Sequence, residues 1–160
     1  MKAFFSIVLI LCLLAGFTAC TEPEAVTYYY LRQPESYLSA APNGVMVGDS
    51  REAAGSVNDL QHLLILYLHG PSNDNFRSPF PPGTTLMGLD QTADGLTVHL
   101  SDAAATLKGT DLTLACACLA KTCFGLTDAN SITMTAGPVS LTMTQDSLLL
   151  VDDATSPAIE

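Results

Sequence analysis

Apolar residues make up 48% of this 160-residue chain and charged residues 14%, a balance that supports a buried core and excludes a disordered polymer. Sixteen Asp and Glu against six Lys and Arg leave a formal net charge of -10. That charge excludes a nucleic-acid-binding patch and a polybasic hold on anionic lipid. The length suits one domain behind a targeting segment.

Met1-Lys2 is a short positive start, and Phe4 to Phe17 is almost unbroken apolar sequence. This run falls short of the roughly 20 residues a membrane span needs and suits the core of a signal peptide. It ends Ala15-Gly16-Phe17-Thr18-Ala19-Cys20, small residues leading into a cysteine. The pattern resembles the bacterial lipobox, with Phe17 where Leu, Val or Ile is usual. The resemblance implies that Cys20 is acylated and becomes the mature N-terminus, anchored outside the cytoplasmic membrane of a bacterium; two acyl chains already give stable anchoring. The competing reading is an ordinary secretory signal that leaves Cys20 a free thiol. Residues 1–19 are accordingly read as a lipoprotein signal peptide and 20–25 as a tether.

Val26 to Arg32, with three consecutive tyrosines, is strongly β-prone and closed by Pro34. Gly44 to Glu52 is a weaker strand. Ser56 to Pro71 is a complete helical signal. Ser56 is its expected cap, and Asp59 brings a carboxylate to the first turn. Val57, Leu60, Leu63, Leu64, Tyr67 and Leu68 fall at helical spacing. Gly70 supplies a left-handed stop, and Pro71 forbids continuation.

Pro71 to Gly83 reads as an extended, proline-rich connection holding Phe76 and Phe80. Thr85 to Gln91 and Leu96 to Ser101 form a hairpin about Asp94-Gly95, with Leu96, Val98 and Leu100 on a buried face and Thr97, His99 and Ser101 on a wet one. A second helix is expected from about Asp111 to Phe124, capped by Thr110 or Asp111. Its buried stripe holds Cys116 and Cys123, with Cys118 pointing elsewhere. Three short strands follow, around Ile132–Met134, Val139–Met143 and Leu148–Val151. Residues 153–160 read as an acidic tail. Strands outnumber helices, which predicts a single α+β domain with two helices packed on one face of a mainly antiparallel sheet.

These residues together resemble the GerMN domain, the sporulation and spore-germination module of bacterial lipoproteins. The matching features are Tyr28-Tyr29-Tyr30-Leu31, Leu63-Leu64 through Gly70-Pro71, and Pro79-Phe80-Pro81-Pro82-Gly83-Thr84. Gly95 to Ser101, Thr122 and Ile132 to Gly137 complete the set, over residues 26–152. His99 stands where the family more often has Asp, and the second helix is unusually rich in cysteine. The resemblance implies a fold similar to the ring-building domains of secretion machines and a non-catalytic assembly role in the envelope. It carries no catalytic residues, no metal and no cofactor to transfer. The implied partners are other envelope proteins, or further copies of the chain. The candidate contacts are an apolar patch or an exposed sheet edge, with Phe76 and Phe80 in the proline-rich loop as contact residues; the competing reading is that these two rings pin the loop to its own core. A small-ligand or cell-wall-binding lipoprotein is the alternative.

The residues themselves offer little chemistry. His62 and His69 lie seven apart on one helix, wider than a metal pair, and His99 sits on a polar strand face. Cys116 and Cys123 are about 10 Å apart along a helix, too far for a disulfide, so the cysteines read as core residues. No Gly-x-Ser-x-Gly elbow or phosphate-binding glycine loop occurs.

Overall fold

The computed structural model describes residues 25–33, 45–53 and 59–148. The signal peptide, Cys20 and its tether, the Ser56 cap, residues 149–151 of the last strand and the acidic tail lie outside them.

Two antiparallel strands begin the fold. β1 (Ala25–Arg32) pairs with β2 (Met46–Glu52) from Ala25 opposite Glu52 to Leu31 opposite Met46. Val26, Tyr28 and Tyr30 point to the core on the two-residue period of a strand. The proline-rich connection contributes a strand that periodicity did not reveal, β3 (Phe76–Arg77), paired only with Leu31 and Arg32. Two residues are too few to show an alternation.

α1 (Leu60–Leu68) starts one turn later than its signals suggest. Asp59 is the cap, its carboxylate accepting the His62 N–H at 3.0 Å. The stop is as expected: Gly70 takes a left-handed φ of 105° past the helix end, a conformation costly for a residue with a Cβ.

β4 (Leu86–Gln91) and β5 (Gly95–Leu100) are the expected hairpin, with a bulge between Leu86 and Gly88 that leaves Met87 exposed. A 3₁₀ helix (Asp102–Thr106) and α2 (Gly109–Phe124) then cross over to β6 (Ser131–Ala136), which lies parallel to β5. β7 (Val139–Thr144) returns antiparallel to β6. Every other described pairing is antiparallel, as expected for this α+β chain. A parallel pair cannot be closed by a hairpin, and α2 is the crossover that permits it. After β7 the chain enters a helical turn at 145–148, so Leu148 is helical and not the start of a strand.

The strands divide into two sheets, ordered β2-β1-β3 and β4-β5-β6-β7. α2 touches both, packing on β1 of the first and on β6 and β7 of the second. Its residues Leu114 to Ala120 are all buried, with Thr122 and Cys123. A helix apolar on all sides is a core helix, and its Ala and Cys side chains are small enough to admit a sheet on either side. Cys118 is therefore buried with Cys116 and Cys123, where a single buried stripe would have left it outside. The Lys108 side chain makes no capping hydrogen bond, so the helix lacks the expected Thr110 or Asp111 cap.

Candidate functional site

Alternation along β5, β6 and β7 sends Leu96, Val98, Leu100, Ile132, Met134, Ala136 and Met143 into the core. The opposite face is left with hydroxyl residues. Strand register aligns them in rows: Thr97 with Thr133 and Thr142, and His99 with Thr135 and Ser140. The hydroxyls of Thr133 and Thr142 lie 2.8 Å apart. His99 bridges β4 and β6, with Nε2 2.8 Å from Asp90 Oδ2 and Nδ1 2.7 Å from Thr135 Oγ1. Carboxylate, imidazole and hydroxyl thus form a chain of the kind hydrolases use. Here it lies open on a sheet face, with the Asp90 side chain 77% exposed. Its chemistry is that of a polar cross-strand ladder.

The joint between helices and first sheet is built from buried polar groups. Because β3 stops at Leu31 and Arg32, the peptide groups of Tyr29 have no strand partner on that side. Side chains replace the strand: Thr122 Oγ1 of α2 accepts the Tyr29 N–H at 2.9 Å, and Tyr67 Oη of α1 donates to the Tyr29 carbonyl at 3.0 Å. Tyr30 Oη donates to the Tyr67 carbonyl at 2.9 Å. The rings of Tyr28 and Tyr67 stack at 5.9 Å, and Phe80 meets Tyr67 edge-on at 6.1 Å.

Beside this cluster Asp49 and Arg51 form an ion pair at 2.7 Å. Burial favours the protonated carboxyl of Asp49, but the Ser72 N–H, the Arg51 guanidinium and the Ser72 hydroxyl outweigh it and hold the carboxyl below its ordinary value. Burial pushes the Tyr30 hydroxyl up to about 12, against the opposing pull of Arg51. These groups are spent on architecture. In the sequence Asp49 and Arg51 are only alternate, opposite charges on a weak strand, which does not mark them as partners.

A family model described as sporulation and spore germination (Germane) matches residues 27–142. The chain belongs to this GerMN family. Among solved structures, the tandem GerMN domains of the sporulation protein GerM from Bacillus subtilis are 15% identical, with a TM-score of 0.52 over 76% of this chain and 42% of that one. The chain thus spans less than half the length of that relative. The first GerMN domain of the same protein is 13% identical, with a TM-score of 0.50 over 72% of this chain and 86% of that one. At such identities the likeness speaks for the fold alone. Among curated proteins, none matches this sequence.

The residues that carried the GerMN resemblance have visible duties. The three tyrosines and Thr122 build the joint. Pro82 and Gly83 form the centre of a turn in which Gly83 has φ 84° and the Thr84 N–H reaches the Pro81 carbonyl at 3.2 Å. Phe80 is 7% exposed with its ring in the aromatic cluster, and Phe76 is half-buried on the edge strand β3. His62 and His69 are both exposed on or next to α1. Among the described residues no three metal-ligating side chains come together. The thiols of Cys116 and Cys123 are each pushed up to about 12, chiefly by burial, so neither is a nucleophile at neutral pH. No helix among the described residues is long and apolar enough to cross a membrane.

Proposed function

We propose that this GerMN domain is a lipid-anchored, extracytoplasmic assembly module of the bacterial envelope, serving sporulation or spore germination and doing no chemistry of its own. Cys20 carries the lipid, and the anchor raises the local concentration of the domain for partners in the same membrane. The observation that carries this reading is the outer face of the second sheet. On a chain of net charge -10, its central rows are hydroxyl residues with His99 among them, and the carboxylate at the edge, Asp90, is bonded to that histidine. Such a face can be covered by another envelope protein, or by a second copy, without burying unpaired charge. Phe76 on the edge strand β3 supplies a further contact, and Phe80 holds that segment against the core.

The reading is tested in cells with a photo-crosslinking residue placed at Thr142, on the hydroxyl face, and at Ile65, on exposed α1. Defined adducts to an envelope protein or to a second copy from position 142, absent from position 65 and lost with Thr133→Lys, are expected. Equal adducts from both positions would remove the sheet face from the mechanism. Palmitate labelling that persists in Cys20→Ala would remove the anchor.

A further inference from the structure

A cleft of about 210 Å³ opens beside the proline-rich segment, and none of its lining residues belongs to the hydroxyl face. Its apolar walls are Leu31, Phe80 and Leu107, and its two charged residues are Arg77 and Asp111. Neither takes part in an ion pair among the described residues, although both border the same space. Arg77 is partly exposed; its Nε is buried, with no hydrogen-bond partner among the described residues, so only the rest of the guanidinium is open to a ligand. Asp111 lies in the first turn of α2, where the Lys108 cap provides no side-chain acceptor for the free N–H groups. The surroundings are firmly held: the Phe80 N–H donates to Ser78 Oγ at 3.1 Å, and the Phe80 ring is locked against Tyr67.

We infer that this cleft binds a small zwitterion of the α-amino-acid type. Its carboxylate would sit on the Arg77 guanidinium, its ammonium group on the Asp111 carboxylate, and its side chain against Leu31, Phe80 and Leu107. An anion alone would meet the repulsion of Asp111, and a cation alone that of Arg77; one molecule bearing both charges satisfies both. The volume admits one residue and little more, below the usual range of drug-sized pockets. This site uses neither the lipid anchor nor the hydroxyl face, although it shares β3 and Phe80 with the assembly role.

The test titrates the full chain in detergent micelles with L-valine, and separately with isobutyrate and isobutylamine, which carry one charge each on a similar apolar group. The readout is the amide shifts of Ser78, Leu107 and Asp111. Saturable shifts with valine are expected, with each half-molecule at least about tenfold weaker. Arg77→Gln and Asp111→Asn, both outside the core, should each weaken valine at least about tenfold at unchanged thermal midpoint. Isobutyrate binding as tightly as valine would make this an anion site and overturn the inference. So would the absence of any saturable shift in the unmutated chain up to about 50 mM valine.

Discussion

Arg51 Nη2 donates to the carbonyl oxygen of Gly70 at 2.8 Å, so a guanidinium on β2 closes the C-terminal end of α1. The same group holds Asp49 and donates to Tyr30 Oη at 3.1 Å. It lies 5.1 Å from the centre of the Tyr28 ring, within cation–π range. One side chain thereby fixes the angle between the first helix and the first sheet.

Replacing Arg51 with Met keeps much of its packing and removes the charge. Asp49, whose side chain is 8% exposed, then keeps only Ser72 as a partner among the described residues. The expected loss is about 3 kcal/mol in urea denaturation, at the low end for a broken buried pair because Arg51 is partly exposed. In a double-mutant cycle with Asp49→Asn, the two losses should fall short of additivity by more than about 1 kcal/mol. Strict additivity would show that the pair is not coupled.

Asp49 also sets an acid limit. Its carboxyl titrates lower in the folded chain than the ordinary value of 3.8. Its stabilisation is therefore complete above that value and is lost as pH falls through the lower, folded one. The urea midpoint should decline between about pH 5 and about pH 2, and Asp49→Asn should remove part of that decline. A variant whose pH profile runs parallel to that of the natural chain would refute the assignment.

Thr122 should be far more sensitive to Val than to Ser. Val preserves its shape but leaves the Tyr29 N–H without the acceptor it now has at 2.9 Å. The cost should be about 1–3 kcal/mol by thermal or chemical melting, while Ser, which keeps the oxygen, should lose less than about 1.5 kcal/mol. Amide exchange at Tyr29 should speed up in Thr122→Val ahead of the rest of β1. Equal losses for the two variants would mean that packing of the methyl group, and not the hydrogen bond, secures this edge.

The thiols of Cys116 and Cys123 are buried and protonated. Their reaction with an aromatic disulfide reagent at about pH 8 should be at least about 100-fold slower in the native chain than in urea. Rapid native labelling at either position would show that α2 opens far more readily than its burial implies.

Much of the fold was readable from residue order because it rests on local rules. The three tyrosines follow strand periodicity. Gly70 and Pro71 are the punctuation of a helix end, and Asp94-Gly95 marks a hairpin turn. The α+β class and the family followed from these elements in sequence. The division of the strands between two sheets did not. It depends on α2 being buried all round, and a stripe-based reading with Cys116 and Cys123 inside and Cys118 elsewhere assumes one wet face. β3 escaped because it exists only where Leu31 and Arg32 offer it hydrogen bonds. The ladder from Asp90 through His99 to Thr135 was hidden for a similar reason, since residues 9 and 36 apart are joined only by strand register.

By itself the sequence determined most of the strands and both α-helices, the stop of the first helix, and the core face of the longer strands, because these depend on neighbours a few residues away. Only the tertiary structure decided who meets whom: Thr122 with the peptide of Tyr29, Arg51 with Gly70, and Arg77 with Asp111 across a cleft. Those meetings are set by how α2 packs between two sheets. That packing is a property of the assembled core, and no single stretch of the chain contains it.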